Sequence, residues 1–555
     1  MIGMMGVKGY GQSSSWEWAR DVKVAGNINS EFESMAVDFN GNVYFIGTFK
    51  DTITFGSYNL INPDTITSYG NFFLAKYDSL GNFLWARTSI GTSTIFTSGV
   101  TTDFSGNVFV TGGFRSPKVI FDTDTLINSD TNAGTFDFFL IKYDSSGNLI
   151  WATSGGGDNE DFGMCLSTDI NGNILVGGAF SSPVSIFESD TIYTNDSSND
   201  DIFLVKYDQQ GNLIYAKAFG GSYADYVYSI GNDDLGNFYL TGSYRSPTIS
   251  FDSFTLTNFD STVYSTNIFV VKFDSLGNVI YAKTIGGSIK DEAYFCKVDL
   301  LNNLYVTGYF RSSSIAFDTI ILTNSGNDDG FLVKYNSNGN VIYAKSFGGS
   351  GSDYGYNLSI DISNNVYLSG GFTSSSIMLN SDTLQFPVGG SDPMFIAKFD
   401  SIGNILYSKV LQSGGDDLNF IAFYGSNKLY VGGDFYGVNP FIFGNDSLFH
   451  TGGETPFIAK LNFNLTVGFT QISPKQSITL YPNPTSGTFT ISYNQSGNSN
   501  NELGIYDVLG QEVYHQAIIN QESTVINLPK ISNGVYFYQL TNSKETWRGK
   551  FVVEM

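Results

Sequence analysis

Apolar and polar residues alternate at period two over most of this chain, in short runs rich in Val, Ile, Phe, Tyr and Thr that are cut by Gly-Asn turns. That pattern predicts antiparallel strands in a meander, with no convincing helix. The runs recur as a unit: an apolar segment ending in Lys-Tyr-Asp or a near relative, a tight turn, then an aromatic-Ala-Lys strand. Clear forms are FFLAKYDSLGNFLWAR from Phe72, FFLIKYDSSGNLIWAT from Phe138 and IFLVKYDQQGNLIYAK from Ile202. The lysine returns at Lys76, Lys142, Lys206, Lys272, Lys334, Lys398 and Lys460, in steps of 62 to 66 residues. A fixed period of that size dictates a repeat architecture before any single residue is interpreted. A second landmark, strand-turn-strand as in AVDFNGNVYFIGTF from Ala36, recurs at Asp103, Asp169, Asp233, Asp299 and Ser359 and, degraded, at Tyr424. Seven units of at least four strands each are expected.

The ends of the array decide between an open stack and a ring. Trp18-Ala19-Arg20 matches the fourth strand of a unit but lacks the first three, whereas the last unit stops near Asn462 without its own fourth strand. The two fragments complete one another. The expected fold is all-β, a seven-bladed β-propeller over residues 16–463 closed by its N-terminal strand, which leaves only short, protected edges. Units such as YAKSFGGSGSDYGYNLSIDISNNVYLSGGF from Tyr343 resemble the bacterial β-propeller repeat family called SBBP. That resemblance implies a secreted or surface propeller. The meander also sorts the connections: turns 1–2 and 3–4 share one trimmed face, and the longer 2–3 and 4–1 connections share the other, with an added hairpin such as VIFDTDTLINSD from Val119.

After about Leu465 the repeat disappears, and a linker over 464–476 leads to a separate module at 477–555, read as a small Ig-like β-sandwich of about seven strands. From the residues alone it is an accessory β-module. Its motifs nevertheless resemble the type A C-terminal sorting domain of the Bacteroidetes type IX secretion system: Pro482, Asn483 and Pro484 with Gly487, the run Asp507 to Gly510 and Gln511, then Gly534-Val535-Tyr536 and Lys550 to Val553. Trp547, Arg548 and the final Glu554-Met555 depart from that pattern. The resemblance implies the type IX machinery as a partner through residues 477–555 and a secreted or outer-membrane-surface location. The first fifteen residues, MIGMMGVKGYGQSSS, read as the end of a truncated export signal or as a disordered terminus. No apolar run is long enough to span a membrane.

A net charge of -24 argues against nucleic acid or an anionic lipid surface as a partner. With 14% charged and 16% aromatic residues, the chain is a packed β-protein rather than a disordered acidic one. Cys165 and Cys296 fall in the innermost strands of the third and fifth units, too far apart for a disulfide within one ring, and read as buried apolar residues. The two histidines, His450 and His515, cannot supply a triad or a His-rich metal site to the first six units. Acidic loops such as Gly157 to Asp161 lack the spacing of a calcium loop, so no cofactor is expected and Ca2+ has no motif behind it.

One constellation stands out. Eight residues before the inner-strand landmark lie Asp161, Asp225, Asp291, Asp353 and Asp416, which on a ring would surround the channel mouth, with Arg115, Arg245 and Arg311 on the same rim. Either the aspartates cap backbone N–H groups or pair with those arginines to fix neighbouring blades, or they form a polar mouth for a cation or a hydroxyl-rich ligand. Tyr223, Tyr226, Tyr294 and Tyr354 likewise either pack between blades or stack on sugars. The function expected is a secreted or cell-surface binding or adhesion module for a glycan or protein on the long-connection face, not an enzyme. Two alternatives stay open: a glycoside hydrolase or polysaccharide lyase of the carboxylate type, and a purely structural surface component.

Overall fold

The computed structural model describes residues 14–24, 30–62, 70–130, 134–260, 265–386, 393–411, 420–425, 427–435, 440–449, 454–463, 478–493, 500–507, 511–519, 523–528, 531–541 and 546–554. The leader-like residues 1–13, the linker 464–476, Asp416, His450 and Gly510 lie outside the described residues. The chain divides into two compact units, Met1–Leu465 and Thr466–Met555. Among the described residues every regular element is a strand.

The first unit is propeller-like, built from antiparallel sheets in which sequence neighbours pair. Asp225–Asn232, Phe238–Tyr244, Asn267–Phe273 and Val279–Ile285 form one such sheet, in that order from inner to outer strand. Among the described residues of this unit six sheets have four strands, and a seventh gains two more from an added hairpin. The N-terminal strand Ser14–Asp21 lies in the last sheet, beside Thr455–Phe463, with Ala19 opposite Ala459. It starts two residues before the expected boundary of 16. The inner strand Glu31–Val37 packs against Ile95–Thr102 on one side and Phe420–Tyr424 on the other.

Second and third strands are buried along their whole length, on both faces, because each sheet is covered by a neighbour on either side. Core clusters accordingly mix residues of successive sheets, as where Leu204 and Phe219 meet Leu240, Phe269 and Val271. Phe and Tyr supply much of that volume, each worth roughly 2–3 kcal/mol of buried apolar surface.

The repeated turn is built by its own aspartate. Asp78 Oδ1 accepts the Leu80 and Asn82 amides at 2.9 and 2.8 Å, and Oδ2 accepts Asn82 Nδ2 at 2.8 Å, while Gly81 takes φ +80°. What this turn does next is not visible in one repeat. The landmark lysine reaches forward to the turn of the following sheet: Lys76 Nζ donates to Ser145 O, Lys206 to Ser275 O and Lys334 to Ser401 O, at 2.6 to 3.1 Å. The aromatic residue of the outer strand lies against the same turn's glycine. A Cβ on Gly211 would stand 2.9 Å from Trp151, and one on Gly81 would stand 2.8 Å from Trp18. Lys460 Nζ donates to Ser79 O at 2.7 Å, so the last sheet grips the first by the same contacts.

Each 2–3 connection does carry a hairpin, as in Lys118–Phe121 with Asp124–Ile127 and Thr248–Phe251 with Phe254–Thr257. These hairpins pack on the outer strands, with Phe121, Phe251 and Leu256 buried. Much of the length that suggested free recognition loops is therefore spent covering the sheets' outer edges, which would otherwise be open to pairing.

In the second unit Ile478–Tyr481, Thr488–Tyr493 and Ser523–Asn527 form one sheet, and Glu512–Ile519, Asn500–Tyr506, Gly534–Thr541 and Thr546–Val553 the other. Phe489, Ile491, Leu503, Ile505, Leu540 and Phe551 fill the core between them.

Candidate functional site

The aspartates do not face the channel. Asp161, Asp225, Asp291 and Asp353 are each 0% exposed, and each carboxylate is a hub that ties the start of an inner strand to its neighbouring connections. Asp291 Oδ2 accepts the Gly287 amide at 2.8 Å and the Ser312 hydroxyl at 2.7 Å, while Oδ1 accepts the Arg311 and Ser312 amides at 3.1 Å. Asp225 accepts the amides of Arg245 and Ser246 and the Ser246 hydroxyl. Asp161 is held by Gly157 N, Ser182 Oγ and Ser185 Oγ, and Asp353 by Gly349 N and Ser374 Oγ. Burial pushes Asp161 and Asp225 up to about 7 against these hydrogen bonds, and raises Asp291 and Asp353 as well.

The arginines correct the expected pairing. Arg115 donates to Glu160 at 2.9 Å and stands over the Phe136 ring, and Arg311 grips Asp328 with two bonds of 2.7 and 3.0 Å. Arg245 meets Asp225 through its backbone amide. The carboxylates that answer the side chains, Glu160 and Asp328, sit just before the inner and third strands rather than within the aspartate series.

The cavity among the inner strands is lined in part by residues that break their alternation, Ser98, Met164, Tyr228, Tyr294 and Tyr356. Each of the first six inner strands carries a bulge, and the extra residues are Glu33, Ser98, Met164, Tyr228, Tyr294 and Tyr356. Three tyrosines in succession form an arc. Tyr228 meets Tyr294 edge-on at 5.9 Å, and Tyr294 stacks with Tyr356 at 6.1 Å. Tyr226, Tyr309 and Tyr354 back it, with Tyr309 to Tyr354 at 5.0 Å.

Polar groups pin these supporting rings from the long-connection face. Tyr226 OH donates to Asp200 at 2.7 Å, Tyr309 OH to Glu292 at 3.1 Å, and Tyr354 OH to Asp328 at 3.1 Å. Lys290 pairs with Glu292 at 3.0 Å, so the acids at this mouth are largely neutralised in place. Arg311 and its hydrogen-bonding neighbours hold Asp328 below the usual carboxylate range although burial opposes them. Burial raises the Tyr228 hydroxyl to about 12 and Tyr294 further, so both stay protonated donors.

Tyr228, Tyr294 and Tyr356 share one cavity of about 540 Å³ with Phe39, Phe104, Cys165, Cys296 and Lys297. Both cysteines are free and buried. Among the described residues no group of three or more His, Cys, Asp and Glu side chains is placed to hold a metal ion. Of the four tyrosines singled out in the sequence, Tyr226, Tyr294 and Tyr354 belong to the arc or its backing; Tyr223 is held through its backbone by Ser246. Tyr228 and Tyr356 were readable in principle, as a tyrosine three residues after the inner-strand aspartate in three consecutive units.

In the second unit, Asn483 Oδ1 accepts the Val552 amide at 2.9 Å between Pro482 and Pro484, and Thr485 N donates to Val552 O. Gly487 turns the chain at φ +98°, Asp507 Oδ1 caps the Gln511 amide, Gly534 pairs with Val553 and Lys550 with Phe537. The motif residues thus fasten the first turn of the module to its last strand.

Residues 479–554 match the family described as the Secretion system C-terminal sorting domain. Among curated proteins the chain is 23% identical over 441 residues to an uncharacterized WD repeat-containing protein of Acanthamoeba polyphaga mimivirus, covering 64% of this chain and 31% of that protein. It is 27% identical over 326 residues to the regulatory protein FlaEY of Caulobacter vibrioides, covering 55% of this chain and 32% of that one. The chain thus spans about a third of the length of the curated relatives it matches. Solved structures that it resembles include a protein of unknown function from Dyadobacter fermentans, at TM-score 0.35 and 8% identity over 81% of this chain and 99% of that chain. A second, from Bacteroides vulgatus, has TM-score 0.32 and 9% identity over 80% of this chain and 98% of that chain. The matched tail makes this a secreted or cell-surface protein that carries a type IX sorting domain. Among the described residues no helix is long and apolar enough to cross a membrane.

Proposed function

We propose that residues 14–463 form a closed seven-bladed propeller of SBBP-type repeats that works by binding a glycan at the tyrosine-lined mouth of its central channel, on a cargo of the type IX machinery. Support for closure comes from Ser14–Asp21 pairing with Thr455–Phe463 and from Lys460 and Trp18 gripping the first sheet's turn. The observation that carries the binding role is the arc of Tyr228, Tyr294 and Tyr356, half-buried and projected from equivalent bulges of three successive inner strands. Flat rings with fixed orientation offer sugar faces a stacking surface at little cost in side-chain entropy. Binding is favoured over carboxylate chemistry at this arc because Asp161 and Asp225 are sealed under their own hydrogen bonds and Glu292 and Asp328 at the mouth are ion-paired; Glu33 on the first inner strand, pushed up to about 8 by burial, is the raised carboxyl left to the alternative.

The test is a glycan array probed with the purified full chain and with Tyr228→Ala and Tyr294→Ala, beside Tyr193→Ala on an outer hairpin as control. Wild type and the control are expected to bind the same glycans, and each channel variant to lose about tenfold or more in affinity, the weight of one central aromatic contact. Tyr294→Phe, which keeps the ring, is expected to retain binding. Hits indifferent to both alanine changes, or no hits at all, would overturn the proposal, the latter in favour of a structural component. Release of reducing ends from a bound polysaccharide would turn it toward a hydrolase or lyase.

A further inference from the structure

Lys297 has no counterpart in the other inner strands. It sits two residues before the turn aspartate Asp299, opposite Tyr305, and the matching positions hold Ala36, Thr101, Ser167, Gly231, Ser359 and Ala422. Six small residues leave room that one long cation enters. Among the described residues Lys297 makes no ion pair or hydrogen bond, unlike Lys290 and the landmark lysines, each of which is tied to a carboxylate or a carbonyl. Its side chain is exposed to the cavity, and the surrounding strands push its ammonium pKa down. It lines the same cavity as the tyrosine arc.

We infer that Lys297 selects glycans that end in a single anionic group, a carboxylate or a sulfate, which enters the channel past the tyrosines and meets the ammonium. This rests on the glycan reading of the arc and deepens it. Tyr294 and Lys297 are three residues apart on one strand, about 10 Å along its axis, which is the reach of two sugar units. A sugar ring held at the arc therefore places the end group of the next unit at the lysine. An ammonium with no carboxylate partner gains from a charge-assisted bond to an anion. A single end group is also the form of anion that this chain tolerates: its net charge of -24 repels a polyanion over the whole surface but opposes one buried charge far less.

The experiment is an array in which each oligosaccharide backbone is printed in three forms, with a neutral, a uronate and a sulfated non-reducing end, probed with the full chain and with Lys297→Met. Signals are expected to concentrate on uronate or sulfated ends by about tenfold or more over the neutral partners, and the two charged arms tell which anion the site takes. In Lys297→Met that preference is expected to vanish while binding to the neutral forms is unchanged, and Lys297→Arg is expected to restore most of it. Equal signals on neutral and charged ends, or a preference that survives in Lys297→Met, would overturn this inference and leave the tyrosine site standing. No signal on any of the three forms would overturn both.

Discussion

At the scale of the residue, the decisive contacts are the joints between repeats. Gly211 holds φ +89° with its α-carbon against the Trp151 indole, so an added methyl meets both a strained backbone and a ring. Gly211→Ala is expected to cost about 1–3 kcal/mol of stability, read as a fall in Tm by calorimetry. The exposed Gly56, also at positive φ but with nothing within 4 Å, supplies the comparison: Gly56→Ala is expected to cost only about 1 kcal/mol. The lysine that marks each repeat was easy to find in the sequence, but its purpose was not. Lys206 is nearly buried, bridging Asp169 of its own sheet at 3.1 Å and the Ser275 carbonyl of the next. Two partners from different repeats, 37 residues before it and 69 after, cannot be read from a period of about 64, which shows only that the unit recurs.

At the scale of the element, buried acids lie in pairs where a third strand begins beside the next inner strand: Asp137 with Asp161, Asp201 with Asp225 and Asp329 with Asp353. In the fourth unit Asn267 stands beside Asp291 instead, its Oδ1 accepting the Phe259 amide and its Nδ2 donating to Gly287 O. Burial pushes Asp137 and Asp329 up to about 6, and Asp161 and Asp225 up to about 7. Carboxyls raised on folding stabilise most below their unfolded pKa of about 4 and lose that stability as pH climbs through 6 to 7. The turn aspartates Asp78, Asp144 and Asp274 are shifted down, so their contribution is lost as pH falls below about 4. Thermal stability is therefore expected to rise as pH drops from 8 to about 5 and to fall again in stronger acid. Asp137→Asn, which copies the Asn267 arrangement, is expected to raise stability at pH 8 by roughly 1–3 kcal/mol and to flatten the alkaline side of that profile. A variant no more stable than wild type at pH 8 would show that the pair titrates normally. The aspartate series itself was visible in the sequence; its burial was not, because period-two patterning places a residue on a face of a sheet without saying whether a serine from the next connection, such as Ser246 or Ser312, closes over it.

At the scale of the whole molecule, strand order followed from the repeat, and the pairing of the two ends from the lone fourth-strand motif Trp18-Ala19-Arg20, since a meander with short turns leaves few alternatives. The channel lining did not, because bulges shift one residue per inner strand out of the alternation that patterning relies on. Removal of residues 1–21 would bare the edge of Thr455–Phe463 and take Trp18 off Gly81. That truncation is expected to lower Tm by more than about 10 °C and to promote association through the bared edge, measured by calorimetry and light scattering. An unchanged Tm would mean that the first unit does not depend on its N-terminal strand.

The forward-reaching lysine and the indole or phenol on the next glycine make six seams chemically alike, including the one that Trp18 and Lys460 form with the first sheet, whereas at the seam before the last sheet Lys398 pairs with Asp361 and stands over Phe463. Across those six seams, adding or dropping a repeat by duplication needs no new kind of junction. In the closed ring proposed above, what would change is the bore of the opening, so copy number would act as a dial on the girth of whatever it admits.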